Sequence, residues 1–268
     1  MRDRGALSQG TRRDVGGRAS RRAAGRPGRL PIAAQATGYL QHIAADGLLR
    51  FAEEHDAVLR LEQHPGEFVS PGTPLAFANR ALDDAGIEAL RALFAVGDFR
   101  TAEQDAGFGI RQIVDIAIKA LSPGVNDVST AVACLDYLGA ILCHLASRRL
   151  TSPFRAEKGT LRVIALAPSF EHLVAKSLDE IRLSAAGDVT ILRQVLRVLA
   201  RVAAGTRDSS HREVLLTHAR LAAELADHSI AASYDRARIN AELVLSRAPL
   251  LASPSTLPAL PIKRVHER

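Results

Sequence analysis

Residues 128–146 are apolar almost all the way round a helical wheel, and from Ala131 on the run is broken by Asp136 and His144. A helix of that kind needs cover on most of its circumference, so the chain must supply further helices to pack around it. The composition agrees. Tryptophan is absent and aromatic residues make up 4% of the chain, so a core has to be built from Leu, Ile, Val and Ala, which favours helix packing over an aromatic-rich sandwich. The expected class is α+β and mainly helical, with a small β-rich N-terminal subdomain followed by a helical bundle whose most buried member is the 128–146 helix.

The order of elements follows from punctuation and period. Residues 1–36 read as a flexible Arg-rich leader. A β-rich subdomain over 37–80 holds a strand at Tyr39-Leu40-Gln41-His42-Ile43, a helix capped by Asp46 and running to Glu54, a strand at Val58 to Leu61, and two short apolar stretches between the glycine turns of 65–75. Central helices over 81–150 begin with one at 83–96, started by Asp83 or Asp84. The next starts between Glu103 and Gly109 and ends at Leu121; it places Ile110, Ile113, Val114, Ala117, Ile118 and Leu121 on one face. Asn126 or Asp127 caps the third. A helical part over 151–248 contains a lone strand at 161–166 and helices at 169–185, 188–204 and 209–228, and a flexible tail occupies 249–268.

Charge and cysteine usage narrow the function. The formal net charge is +6, but residues 1–30 hold nine arginines against two aspartates, which leaves the remaining 238 residues close to neutral. Arginine is used 31 times and lysine four, a habit of GC-rich coding, so the basic start is weak evidence for a phosphate-binding arm and nucleic acid is not an expected partner. Cys134 and Cys143 fall on opposite sides of one helix and cannot bridge. No uninterrupted apolar run reaches membrane-span length; the nearest, 131–146, is broken by Asp136 and His144.

Motif by motif, familiar chemistries drop out. Gly66 and Gly72 are spaced like the half-motif of a swinging-arm carrier, but no lysine precedes Lys119, and two turns in a small sheet explain the glycines. Gly107-Phe108-Gly109 lacks the third glycine of a dinucleotide loop, and no phosphate-loop, serine-elbow or zinc-protease signature occurs. The nine histidines are scattered, with only His211 and His218 on one helical face, so neither a metal nor a cofactor is expected. What remains is a crowded polar segment between the most apolar helices: Arg100, Gln104, Asp105, Arg111, Asp115, Ser122, Asn126, Asp127 and Thr130. Arg111, Asp115 and Lys119 form a stripe spaced by four, readable as a solvated ion-pair ladder or as the wall of a polar pocket. Asp136, in so apolar a helix, calls for a partner such as Arg100 or Arg111.

Four stretches resemble one family: Gly38-Tyr39-Leu40-Gln41, Pro65-Gly66-Glu67-Phe68-Val69, Arg100-Thr101-x-x-Gln104-Asp105, and Asp115-Ile-Ala-x-x-Ala120-Leu121-Ser122-Pro123-Gly124-x-Asn126-Asp127-x-x-Thr130-Ala131. These are similar to DUF2254, the predicted bacterial membrane proteins of unknown function, over roughly residues 37–230. The resemblance implies transmembrane helices ahead of a soluble domain, and membrane association, but no established activity. The leading functional expectation is a ligand- or ion-responsive soluble domain with the nine polar residues as its site. One alternative is a homo-oligomeric assembly module pairing through the 128–146 helix. Another is hydrolase- or isomerase-type chemistry with Asp105, Asp115 or Asp127 as acid or base and Arg111 binding an anion.

Overall fold

A computed structural model describes residues 30–148, 153–157, 159–165 and 168–251. The fold is α+β and mainly helical, with two hydrophobic cores, one in the β-rich part and one in the helical bundle. Among the described residues eight strands form two sheets. The first has the order β1 (Leu30–Ala33), β5 (Pro74–Ala78), β3 (Leu59–Leu61), β8 (Thr160–Ile164), β7 (Phe154–Glu157), and the second is β4 (Phe68–Val69), β2 (Gly38–Ile43), β6 (Phe94–Gly97). All neighbours run antiparallel except β3 and β8, which pair in parallel through Leu59 with Val163 and Arg60 with Ile164. The strand expected alone at 161–166 is therefore half of a hairpin that brings the chain back to the first sheet about a hundred residues after β3 leaves it. That return positions a cleft, because the next helix in the chain follows β8 and borders it.

Two further strands lie where none was expected. β1 falls inside the supposed leader; its short Leu-Pro-Ile-Ala sequence is an edge strand, a place where Pro31 costs no ladder bond that the sheet needs. β6 falls inside the helix expected over 83–96. That helix, α2, ends at Arg91 (Asp84–Arg91, capped by Asp83), and Phe94 to Gly97 extend instead because β2 offers them an antiparallel partner. Tertiary pairing overrides a helical periodicity that Leu90, Leu93 and Phe94 would continue. Helix α1 (Ala45–Glu54) begins one residue before Asp46, at an Ala44 that provides no side-chain cap.

The bundle comprises α3 (Ala106–Ala120), α4 (Val128–Ser147), α5 (Phe170–Ser184), α6 (Val189–Gly205), α7 (Ser209–Ser229) and α8 (Ser233–Leu251). Its most enclosed helix is α6, against the expectation for α4. α6 buries Ile191, Leu192, Val195, Leu196, Val198, Leu199, Val202 and Ala203 among α4, α7 and α8. α4 buries Ala131, Cys134, Leu135, Leu138, Leu142 and Ala146 but leaves Tyr137 70% exposed. Ala133 and Ala140 are exposed as well, small side chains that are tolerated outside. Among the described residues α4 is nonetheless long and apolar enough, by length and composition alone, to cross a membrane; Asp136 and His144 do not bring it below that threshold.

Asp136 finds neither Arg100 nor Arg111. Its Oδ1 accepts from Arg201 Nη2 and Gln194 Nε2, both at 2.9 Å, and the carboxylate is about half exposed. Arg201 belongs to a stripe on α6 with Arg193 and Arg197, which clasp Glu242 of α8 at 2.9 and 2.8 Å. Burial pushes the Glu242 carboxyl up, but the hydrogen bonds from Arg197 and Arg193 outweigh it and hold it below the usual range. This clasp explains α8, a helix with little amphipathic pattern that sequence does not announce: a mixed surface is fixed by a nearly buried ion-pair group. α8 runs through Pro249 to Leu251, so these three residues, expected in the tail, are helical; a proline in a final turn removes only one backbone bond. Residues 1–29 and 252–268, the rest of the expected leader and tail, lie outside the described residues.

Candidate active cleft

Strand β2 is the scaffold. Leu40 takes the 64–67 turn on both its backbone groups: Leu40 N donates to Glu67 O at 2.9 Å and Gly66 N donates to Leu40 O at 2.7 Å. Gln41 Nε2 donates to Phe99 O at 2.6 Å. Ile43 is read on both sides by one amide, Ile43 N donating to Gln104 Oε1 at 2.9 Å and Gln104 Nε2 donating to Ile43 O at 3.3 Å. The strand thereby binds two segments far away in sequence, 64–67 and 99–105, side by side.

Where those segments meet, Arg100 and Asp105 form an ion pair. The other Asp105 oxygen accepts from Phe108 N at 2.9 Å, which makes this carboxylate the N-cap of α3, and the Arg100 guanidinium lies 5.0 Å from the centre of the Phe108 ring. Gly66 presses on the pair. It has φ +94, and a Cβ there would overlap Asp105 Oδ2 and stand 2.6 Å from Asp105 Cγ and 2.8 Å from Arg100 Nη2. Only glycine provides both that backbone and that clearance. Three of the four sequence stretches that carry the family resemblance are thus one structural unit.

This unit is one wall of a cleft of about 700 Å³ between the β-rich part and the bundle, within the range typical of small-molecule sites. Its floor is apolar, from Leu48, Leu61, Val163 and Leu173, all buried. Its polar rim holds Gln63, His64, Glu67, Arg100, Gln104 and Asp105 on one side and Arg155, His172 and Lys176 on the other. His64 and Glu67 pair at 3.2 Å. Helices α1, α3 and α5 all present their first turns here, through Ala45, Ala106 with Gly107, and His172, so three positive helix ends face one space.

The nine polar residues expected as a site do not form one cluster. Arg100, Gln104 and Asp105 line the cleft. Arg111 and Asp115 lie on an outer face of α3, paired with each other and, through Arg111, with Glu180 of α5, an arrangement that ties two helices together. Ser122, Asn126, Asp127 and Thr130 form the turn at the far end of α3, on the order of 20 Å away at 1.5 Å per residue. There Asp127 caps α4: it accepts from Thr130 N at 3.0 Å, from Thr130 Oγ1 at 2.5 Å and from Ser129 Oγ at 2.7 Å. Those hydrogen bonds, Thr130 first, hold its carboxyl at about 2, so it stays ionised near neutral pH and is poorly matched to proton transfer there. Ser122 Oγ donates to Lys119 O, and Asn126 adopts φ +47 to complete the reversal.

Sequence reading missed His64, Gly66, Arg155, His172 and Lys176 as site residues. Arg155, His172 and Lys176 gain their place only through the β8 return and the docking of α5, and His64 and Gly66 through the turn that β2 holds. Lys176 did carry one signal: in a chain with 31 arginines, a lysine is the rarer choice. Among the described residues no three His, Cys, Asp or Glu side chains gather as a metal ion would require.

His211 and His218 both face inward from α7, without acting together. His211 stacks on Phe170 at 4.0 Å, while His218 Nδ1 lies 3.3 Å from Asp179 Oδ1 with only 8% of its side chain exposed. Burial pushes His218 below the usual histidine range, outweighing Asp179 and Glu171, which favour the charged form, and Arg182 acts with burial. The unfolded chain, with an ordinary histidine near 6.5, then binds this proton more readily than the folded one. His218 therefore destabilises the fold progressively as pH falls below about 6.5. Thermal unfolding should occur at lower temperature at pH 5.5 than at pH 7.5, and His218→Gln should shrink that difference; an unchanged difference would remove His218 as its cause.

A family model described as a predicted membrane protein, DUF2254, matches residues 6–201. Among curated proteins the chain is similar to the uncharacterised protein MT1328 of Mycobacterium tuberculosis, 32% identical over 238 residues that cover 84% of this chain and 46% of that protein. It is likewise similar to the uncharacterised protein Mb1321c of Mycobacterium bovis, 31% identical over 238 residues with the same coverage. The chain spans about half the length of the curated relatives it matches. No solved structure matches it.

Proposed function

We propose, from the premise that this chain belongs to the DUF2254 family of predicted membrane proteins, that it is the ligand-responsive domain of a membrane-associated protein, with the cleft beside Arg100, Gln104 and Asp105 as its site. The observation that carries this reading is the convergence of the 38–41, 65–69 and 100–105 segments on one cleft wall. They are joined there by backbone and side-chain hydrogen bonds that a simple packing interface does not need. Because the cleft is lined by residues of both cores, Leu61 and Val163 of the β-rich one and Leu173 of the bundle, a ligand held there changes the stability of their docking, which is how binding is passed on.

A melting-temperature screen against metal ions, nucleotides, organic anions and lipid head groups tests it. The expected result is stabilisation by one class, which is lost in a Gln104→Ala variant and retained in Asp115→Ala. Stabilisation lost in Asp115→Ala and kept in Gln104→Ala would move the site to the outer face of α3. A second reading, self-association through α4, is favoured by the exposure of Tyr137 (70%), Val125 (54%) and Ile116 (53%) along α4, the turn and α3. Light scattering decides it: a strict monomer at high concentration removes it.

A further inference from the structure

The ligand class can be read from two cations that the fold leaves uncompensated. We infer that the cleft binds an organic anion, a phosphate or carboxylate head joined to an apolar body, with Lys176 and Arg155 holding the head; this rests on the cleft being the ligand site. Lys176 projects from the second turn of α5 onto the start of α3, close enough that a Cβ on Gly107 would stand 2.9 Å from its Nζ. The ammonium thus shares the positive end of α3, an unfavourable placement for a cation unless an anion joins it. The Asp105 carboxylate, at the same helix start, is already committed to Arg100 and to Phe108 N. Among the described residues neither the half-buried Lys176 ammonium nor the guanidinium of Arg155, exposed on β7, has an ion pair or side-chain hydrogen bond. Both border the same cleft.

The rest of the cleft sets the body of the ligand. Leu61, Val163 and Leu173 line the cleft beside the two cations, and a ligand that covers this apolar surface gains by removing it from water. A bare inorganic anion would leave that floor wet, and a neutral amphiphile would leave the cations unanswered. Only a molecule with both parts meets both walls. A phosphate head could come from a free metabolite or from a membrane lipid, and the cleft chemistry is the same for each.

Calorimetric titration of the whole chain with octyl phosphate, below its micelle concentration, and with octyl glucoside separates the contributions. Octyl phosphate is expected to bind with one site per chain and octyl glucoside much more weakly. Lys176→Gln should weaken octyl phosphate by about tenfold or more, equivalent to about 1.4 kcal/mol, and Lys176→Arg should restore most of it; equal melting temperatures of the unliganded variants would show that the fold is unaffected. If octyl phosphate fails in solution but the chain co-floats, in a Lys176-dependent way, with vesicles containing phosphatidylglycerol, the same head-group recognition holds and its source is the lipid. Equal binding of both amphiphiles, unchanged in Lys176→Gln, overturns the anion assignment and leaves the cleft as a neutral-ligand site. No binding in either format, while another class stabilises the chain through Gln104, also overturns it. No stabilisation by any class would overturn the cleft reading itself.

Discussion

Replacing Asp105 by alanine is expected to lower the melting temperature by roughly 5–12 °C, the largest effect of any single polar substitution in the cleft. One carboxylate performs two tasks there. Losing the α3 cap at Phe108 N costs about 1 kcal/mol. Losing the partner of Arg100, whose Nε is buried without a hydrogen bond, adds about 1–3 kcal/mol because the cation is left in a half-buried site with no anion. For a domain of this size each kcal/mol corresponds to about 2–4 °C. Asp105→Asn keeps an oxygen for the cap and should lose distinctly less. Unfolding followed by circular dichroism checks both, and a shift under about 2 °C for the alanine variant would mean that the Arg100 pair is peripheral to stability.

Gly66→Ala is expected to be nearly as damaging, for a reason that a control isolates. Gly66 and Gly72 have almost the same backbone, φ +94 and φ +87, so alanine at either carries the strain of a left-handed residue, on the order of 1–2 kcal/mol. Around Gly72 nothing lies within 4 Å of a new Cβ, whereas at Gly66 the methyl group takes the space of the Asp105 carboxylate. Gly72→Ala should therefore cost the strain alone, and Gly66→Ala the strain plus most of the Arg100–Asp105 interaction. The two Gly66 contributions separate in a double-mutant cycle: in an Asp105→Ala background the Gly66 substitution should fall to about the Gly72 value. Equal costs at Gly66 and Gly72 in the native background would show that the pair yields to the methyl group without loss.

Helix boundaries were the most legible part of this chain. Asp83, Asp105, Asp127, Ser169, Asp188 and Asp208 each cap a helix through their side chains, so the starts of α2 to α7 are written locally. Strands β1 and β6 were not, because a four-residue strand has no pattern of its own and exists only where β5 or β2 accepts it. The rank of α4 and α6 is not legible in composition. α4 carries a single acidic residue and no lysine or arginine and so reads as the core helix, whereas the three arginines that interrupt α6 are consumed in pairing Asp136 and Glu242 to it.

The site divides in the same way. Arg100, Gln104 and Asp105 stood out because they precede a helix in a polar cluster, and they do line the cleft. Arg111 and Asp115, and Ser122, Asn126, Asp127 and Thr130, stand out by the same criterion, but the first two form an ion pair on the outer face of α3 and the other four build the turn and cap at its far end. Proximity in sequence along one helix could not tell the two ends apart. Lys176, Arg155 and His172 reach the cleft only because β8 pairs with β3 in parallel and launches α5 over it, a long-range event with no local signature.

Hydrogen–deuterium exchange of the full chain, with and without whichever ligand class raises its melting temperature, tests the central claim most directly. Protection confined to residues 63–67, 100–107 and 170–176 is the predicted result, with the 122–130 turn unchanged. Protection of that turn with the cleft segments unaffected would contradict the account and place the ligand at the far end of α3.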